Sequence, residues 1–354
     1  MTEQIILKLP FQPPLQHMLA KAIDAIPEGE EWSYEPKWDG FRALIFFDGE
    51  QIYLQSRDLK PLGRYFPELE ASLRDALPTP MILDGEIVIA TDHGLDFDAL
   101  QMRIHPAASR VKMLSEQTPS SFVAFDLLAT GDADLRELPF SERRERLLAS
   151  LKGIEAPIQI TPETRDRDLA QDWFERFEGA GLDGVIAKRR EEPYRAGRRD
   201  WLKIKHLRTV DCVVGGFRWN RGLEGDSVGS LLLGLYDADG VFHHVGHTSS
   251  FKAAEKRELV SFLAPYVTDD GEEGFGRGRT PGEPSRWTGA RDMAWVRLRP
   301  ELVCEVTFDY LQGPYRFRHA ATFRRWRTDK PPTSCTFDQI ATTPPYELQQ
   351  IFGA

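Results

Sequence analysis

The 354-residue chain carries 41% hydrophobic and 28% charged residues, an ordinary globular mix whose length favours two domains over one. Its three cysteines, Cys212, Cys304 and Cys335, are far apart and odd in number. That excludes a Cys-rich zinc cluster and a disulfide framework, and it predicts a reducing cytoplasm. The formal net charge of −10 disfavours non-specific coating of nucleic acid, and neither a basic, apolar leader nor a membrane-length apolar run is present.

From the N-terminus, "YEPKWDGFRALIFF" (Tyr34–Phe47) sets Lys37 inside an apolar, strand-like run, shortly before a turn at Asp39-Gly40. "ALIFFDGEQIYLQS" predicts a hairpin around Asp48-Gly49. "RYFPELEASLRDAL" has Phe66, Leu69, Leu73 and Leu77 at helical spacing. Ser141 is placed to cap the helix "ERRERLLASLK", and Asp166 or Asp168 to cap "LAQDWFERF", which should stop at Gly179. Beyond about Arg208 the chain turns to β-rich patterns, "VDCVVGGF", "SLLLGLYDADGVFHHVG" and "LVCEVTFDY", with one helix near "AAEKRELVSFL". A boundary near 206–209 therefore divides a larger α+β domain from a smaller β-rich one, and the Gly/Pro-rich Asp269–Trp287 predicts a long loop.

Charge is unevenly distributed. Lys188–Arg208 holds nine Lys/Arg against Glu191, Glu192 and Asp200; in Tyr315–Lys330 six basic residues face only Asp329. Such segments fit a phosphate-gripping face or a set of scattered surface arginines. Period-two alternation adds detail. In "WLKIK", Trp201, Lys203 and Lys205 share a face opposite Leu202 and Ile204. In "MILDGEIVIA", Asp84 and Glu86 share a face opposite Leu83, Ile87 and Ile89, unless Asp84-Gly85 is a turn. Asp183 enters and Lys188 leaves the apolar run "DGVIAK", while Phe125 stands in "FVAFDLL", where a core role is the default. Singly, each position has a plainer structural reading. If the strands share a sheet, Lys37, Asp84, Glu86, Phe125, Asp183, Lys203 and Lys205 line one cleft suited to a nucleoside triphosphate and a divalent metal. No Walker-type Gly–Lys loop is present, so the site would not be a P-loop.

The ordered series "KWDG" (Lys37–Gly40), Ser56-Arg57, "DGE" (Asp84–Glu86), "FVAFDLL", "DGVIAK" (Asp183–Lys188), "KIK" (Lys203–Lys205) and "RWRTDK" (Arg325–Lys330) resembles the covalent nucleotidyltransferases, and closely the ATP-dependent DNA ligases. The whole chain looks most like their compact bacterial DNA ligase C type. The resemblance implies an α+β adenylation (nucleotidyltransferase, ATP-grasp-like) domain with antiparallel sheets over 1–207, then a β-rich OB-fold domain over 208–354. It implies that Lys37 attacks the α-phosphate of ATP to form lysyl–AMP, that AMP passes to the 5′-phosphate of a nick, and that the 3′-hydroxyl then seals it. By the same resemblance Lys203 and Lys205 hold the α-phosphate, Glu86 the ribose, Phe125 stacks on adenine and Glu35 reads its edge. Arg42 and Arg57 contact phosphate, Lys188 belongs to the nucleotide site, and Arg327, Asp329 and Lys330 orient the leaving pyrophosphate after domain closure. Glu86 and Asp183 are the implied metal ligands for Mg²⁺ or Mn²⁺. The family has glutamate where this chain has Asp183, one methylene shorter.

A free lysine titrates near ~10.4, so only about one in a thousand is neutral at neutral pH; burial, neighbouring lysines and a metal all favour the reactive amine. The expected partners are nicked duplex DNA and a primase-polymerase-type gap-filling enzyme in repair, with no membrane, and a monomer is expected. A GTP-using capping enzyme and an RNA ligase share the lysine motif; Glu35 and "RWRTDK" speak for a DNA ligase. An NAD-dependent ligase would need a zinc site, and a silent nick-binding module would not need the full set of lysines and acids.

Overall fold

The computed structural model describes residues 5–91, 94–176, 181–206, 208–269, 275, 294–308, 311–312 and 316–340. The expected helix stop at Gly179, most of the Asp269–Trp287 loop and Tyr315 lie outside them. The chain divides into one unit running through His206 and a second from Leu207 to Thr342.

The first unit contains β1 (Ala20–Ala22), β2 (Trp32–Pro36), β3 (Phe41–Phe47), β4 (Ile52–Ser56), α1 (Pro67–Ala76), β5 (Met81–Val88), a small hairpin of β6 (Ala90–Thr91) and β7 (Gly94–Leu95), then α2 (Phe97–Met102) and α3 (Ala108–Gln117). It continues with β8 (Ser121–Thr130), β9 (Ala133–Asp134), α4 (Phe140–Ser150), β10 (Ile158–Ile160), α5 (Arg167–Arg176), β11 (Gly184–Arg189) and β12 (Trp201–Lys205). Two sheets result. One has the order β1-β12-β11-β2; the other runs β10-β8-β5-β3-β4, with β9 on β8. Pairing is antiparallel except for β1 on β12 and β10 on β8.

Alternation decides which face each strand buries. On one side of the larger sheet Ala43, Ile45, Leu83 and Ile87 join Leu69 and Leu73 of α1 in a core. On the other, Leu44, Phe46, Ile82 and Phe125 pack with Trp201 and Tyr194, which belong to the smaller sheet and its approach. The smaller sheet's opposite face, with Val185, Ala187 and Ile204, packs on Ala170 of α5. Each fully buried leucine contributes about 1.5–3 kcal/mol. Asp84 and Glu86 therefore point into the space between the sheets, and β5 runs straight through Gly85 without a turn. Gly85 is needed for close packing: a Cβ there would lie 2.3 Å from the Phe122 ring and 2.5 Å from the Val123 carbonyl oxygen.

The hairpin at Asp48-Gly49 forms, and the Asp48 carboxylate accepts from the Glu50 and Gln51 amides. Asp166 caps α5, accepting from the Asp168 and Leu169 amides. Ser141 does not cap α4, which begins at Phe140 with Pro139 at the cap position. The amides of Phe140 and Ser141 donate instead to the Glu192 and Arg190 carbonyls, so a distant loop supplies what a cap would.

The second unit is built on β13 (Arg208–Trp219), β14 (Val228–Tyr236), β15 (Phe242–Thr248), α6 (Ala253–Leu263) and β16 (Val296–Phe308), followed by β17 (Leu311–Gln312), β18 (Arg316–Phe317) and β19 (Thr322–Trp326). Its five-stranded antiparallel sheet has the order β15-β14-β13-β16-β19. A bridge between Thr248 and Ala321 draws the β15 edge towards the start of β19, curling the sheet into a barrel. Among the described residues, no helix is long and apolar enough to cross a membrane.

Candidate active site

Lys37 lies one residue past β2, and the β2–β11 ladder continues through it. Its amide donates to the Gly184 carbonyl, and the Asp183 amide donates to the Lys37 carbonyl. Gly184 has φ +130°, and a Cβ would fall 1.9 Å from the Ile204 carbonyl oxygen of β12, so only glycine fits where β11 begins. This geometry directs the Asp183 side chain across to Lys37, with Lys37 Nζ 2.5 Å and Lys205 Nζ 2.9 Å from Asp183 Oδ2. Burial would raise the Asp183 carboxyl, but Lys37 and Lys205 outweigh it and hold it below the usual carboxylate range. On β12, burial, then Lys205 and Lys37, lower the Lys203 ammonium.

A pocket opens beside this cluster between the two sheets, lined by Glu35, Lys37, Arg42, Arg57, Glu86, Phe125, Lys188 and Lys203. The structure thus gathers ten predicted residues of the first unit, the last two being Asp183 and Lys205. Lys188 does not leave the core with its strand, as its surface-like sequence context suggests. Its side chain is 1% exposed and pairs with Glu35 Oε2 at 2.7 Å, donates to the Phe125 carbonyl at 3.0 Å, and lies over the Phe125 and Trp201 rings. Burial raises the Glu35 carboxyl against the pull of Lys188, and lowers Lys188 against the pull of Glu35. Arg42 is engaged within the protein: Nε and Nη2 grip the fully buried Asp84 at 2.7 Å each, and Nη2 also reaches the Met18 carbonyl. Tyr194 completes that clamp, its hydroxyl donating to Asp84 at 2.7 Å.

His17, Trp38, Arg199 and Trp201 also line the pocket, and the sequence does not mark them as site residues. Trp201 is legible in part, since alternation puts it on the face of Lys203. His17, 3% exposed, has no such signal because it precedes β1 in irregular chain. Burial lowers His17 to about 4, so its ring is neutral at pH 7. Both its ring nitrogens, and Glu35 Oε1, are buried without a hydrogen-bond partner. Buried polar atoms of this kind are uncommon, and in a pocket wall they suit a ligand with donors and acceptors of its own. The lining therefore offers an aromatic wall, the carboxyl groups of Glu35 and Glu86, and the lysines Lys37 and Lys203, a set whose chemistry fits a nucleoside triphosphate. For a divalent metal the fit is partial. Among the described residues no three His, Cys, Asp or Glu side chains converge into a cage, so Asp183 and Glu86 could hold one only together with phosphate oxygens.

Glu86 has a measurable consequence. Burial lifts its carboxyl from 4.5 to about 7, past the opposing pull of Arg42 and Lys37. A carboxyl whose folded pKa exceeds its unfolded value opposes folding once ionised, so stability falls as pH rises through about 7. Because the side chain is half-buried, we set the effect at about 2 kcal/mol. Urea unfolding should show Glu86→Gln more stable than the parent by that amount at pH 8.5 and equal to it below pH 4.5. A gain that is the same at both pH values would contradict the assignment.

In the second unit Arg327 Nη1 meets both Asp211 carboxylate oxygens at 3.0 Å, its Nε and Nη2 meet Asp329 at 2.9 Å, and Lys330 Nζ meets Asp211 Oδ2 at 2.7 Å. The three predicted residues are thus neighbours, and Asp211 joins two of them.

Residues 17–205 match the family model described as ATP dependent DNA ligase domain, and residues 224–330 the ATP dependent DNA ligase C terminal region. The chain is 51% identical to DNA ligase C of Mycobacterium tuberculosis over 346 residues, covering 94% of this chain and 96% of that one. It is 49% identical to DNA ligase C1 of Mycolicibacterium smegmatis over 354 residues, 98% and 99% of the two. A solved Lig E DNA ligase, 19% identical with a TM-score of 0.55 over 88% of this chain and 99% of that one, shares the fold. With a lysine-centred pocket between two sheets, a barrel after it, and family models matched along both, the chain belongs to the ATP-dependent DNA ligases.

Proposed function

We propose that Lys37 is the nucleophile of a nick-sealing reaction and that the pocket beside it takes ATP. The Lys37–Asp183–Lys205 cluster at the pocket's edge carries this reading. The neutral Lys37 Nζ attacks the α-phosphorus, the bond to the pyrophosphate oxygen breaks, one Nζ proton is released to solvent, and a lysyl–AMP phosphoramidate remains. Lys203 and Lys205 counter the charge that grows on the α-phosphate oxygens in the transition state. Asp183, held as the carboxylate by Lys37 and Lys205, is the acceptor beside Lys37 that orients the attacking amine. Phe125 stacks on the base, Glu35 Oε1 accepts from the base edge, and Glu86 accepts from the ribose. Arg42, committed to Asp84, shapes the floor beneath them and Arg57 meets phosphate. Lys188 holds Glu35 in place. A bound Mg²⁺ or Mn²⁺ would supply charge neutralisation at the triphosphate, with Asp183 and Glu86 as its protein ligands.

AMP then passes to the 5′-phosphate of nicked duplex DNA, and attack by the 3′-hydroxyl expels it. Arg327, Asp329 and Lys330 serve the first step, reaching the pyrophosphate through domain movement. The setting we assign is repair in the cytoplasm, by a monomer working after a primase-polymerase-type gap-filling enzyme. The three buried, free cysteines suit a reducing compartment. Labelled ATP with either metal should label the chain, and a nicked duplex should chase the label off as AMP. Labelling by GTP in place of ATP would overturn the assignment in favour of capping chemistry.

A further inference from the structure

The Arg327–Lys330 pair is held by a carboxylate that lies outside the ordered series of motifs. Asp211 is on β13, with its side chain 11% exposed. It receives Arg327 through both oxygens and Lys330 through one, and it is the group these two cations share. Its own backbone is fixed from both sides by one amide: Gln339 Oε1 accepts from the Asp211 N–H, and Gln339 Nε2 donates to the Asp211 carbonyl. Gln339 Oε1 also lies 3.3 Å from Lys330 Nζ. The Arg327 main chain is tied down as well, its amide donating to the Val303 carbonyl of β16.

Asp329 also grips Arg327, but its side chain is 67% exposed, and exposed pairs order side chains weakly. Glu305, the cross-strand partner of Asp211, is 3.6 Å from Arg327 and is engaged by Arg325 at 2.8 Å. Asp211 is therefore the enclosed anion against which both cations are set, and charge-assisted bonds at such a site are the strong ones.

We propose that Asp211 is a positioning residue for ATP-dependent self-adenylylation: it presets the Arg327 guanidinium and the Lys330 ammonium as one rigid, pyrophosphate-binding pair. This rests on the reading that Arg327 and Lys330 meet the pyrophosphate. Without the carboxylate, the two cations repel each other and must be ordered at the moment of reaction, which slows the step in which they act and leaves later steps alone.

The test uses the full chain and separates the steps. Asp211→Asn keeps the side-chain shape and should slow self-adenylylation by about 10- to 100-fold. It should raise by a similar factor the pyrophosphate concentration needed to reverse lysyl–AMP formation. Sealing of a pre-adenylated nick should stay within about threefold. Asp211→Glu, which keeps the charge, should recover part of the adenylylation rate. Arg327→Ala and Lys330→Ala are run beside it. If these two lose adenylylation while Asp211→Asn keeps it, this inference fails alone. If all three keep it, the reading beneath it fails too. Equal losses in adenylylation and sealing by Asp211→Asn, with no change in pyrophosphate dependence, would mark a merely structural residue and overturn the proposal.

Discussion

Lys37→Ala should abolish covalent labelling by ATP, to below about one-thousandth of the parent, because it removes the amine proposed to form the phosphoramidate. Lys37→Arg should be equally inactive, since a guanidinium remains protonated and cannot attack phosphorus. The fold should survive either change. Asp183, the buried partner of Lys37, keeps Lys205 at 2.9 Å, so the substitution does not strand a carboxylate. Sealing of a pre-adenylated nick should fall far less than labelling, since that step needs no nucleophile from the protein. Mass spectrometry of the intact chain after incubation with ATP reads the result directly. An AMP adduct on Lys37→Ala would remove Lys37 from the role.

Much of this site is legible in the sequence, for a physical reason. Strand alternation groups side chains by face, so "WLKIK" and "MILDGEIV" give the shared faces by residue order, while the ordered series of motifs, rather than either strand alone, points those charges inward. The hairpin is equally legible, because Asp48 acts on amides two and three residues away. Long-range pairings are not. Lys188 reads as the start of a basic surface segment, yet register places its strand beside β2, where Glu35 meets it in the core. The start of α4 defeats local rules because the Arg190 and Glu192 carbonyls do the work those rules assign to Ser141. Asp211 and His17 are silent for the same reason: tertiary neighbours, rather than spacing, define what each does.

The largest stability effect should come from a pair behind the pocket. Asp126 follows Phe125 on β8, and Arg143 reaches it from α4 through two bonds of 2.8 Å, with both side chains fully buried. Arg143 Nη1 also donates to the Leu138 and Glu192 carbonyls. Arg143→Met fills similar space but strands the Asp126 carboxylate in the core, and should cost about 3–5 kcal/mol. That is a large share of a typical total of about 5–15 kcal/mol. Adding Asp126→Leu removes the stranded charge and should recover about 1–3 kcal/mol, while the Leu138 and Glu192 carbonyls still lack their Arg143 bonds and the latter keeps the Phe140 amide. Chemical denaturation of the parent, both single variants and the double variant closes the cycle; a single-variant loss under about 1 kcal/mol would show that the pair is not a structural anchor. Nucleotide affinity should fall with stability in Arg143→Met, because β8 carries both the Phe125 ring in the pocket wall and the carbonyl that anchors Lys188 beside Glu35.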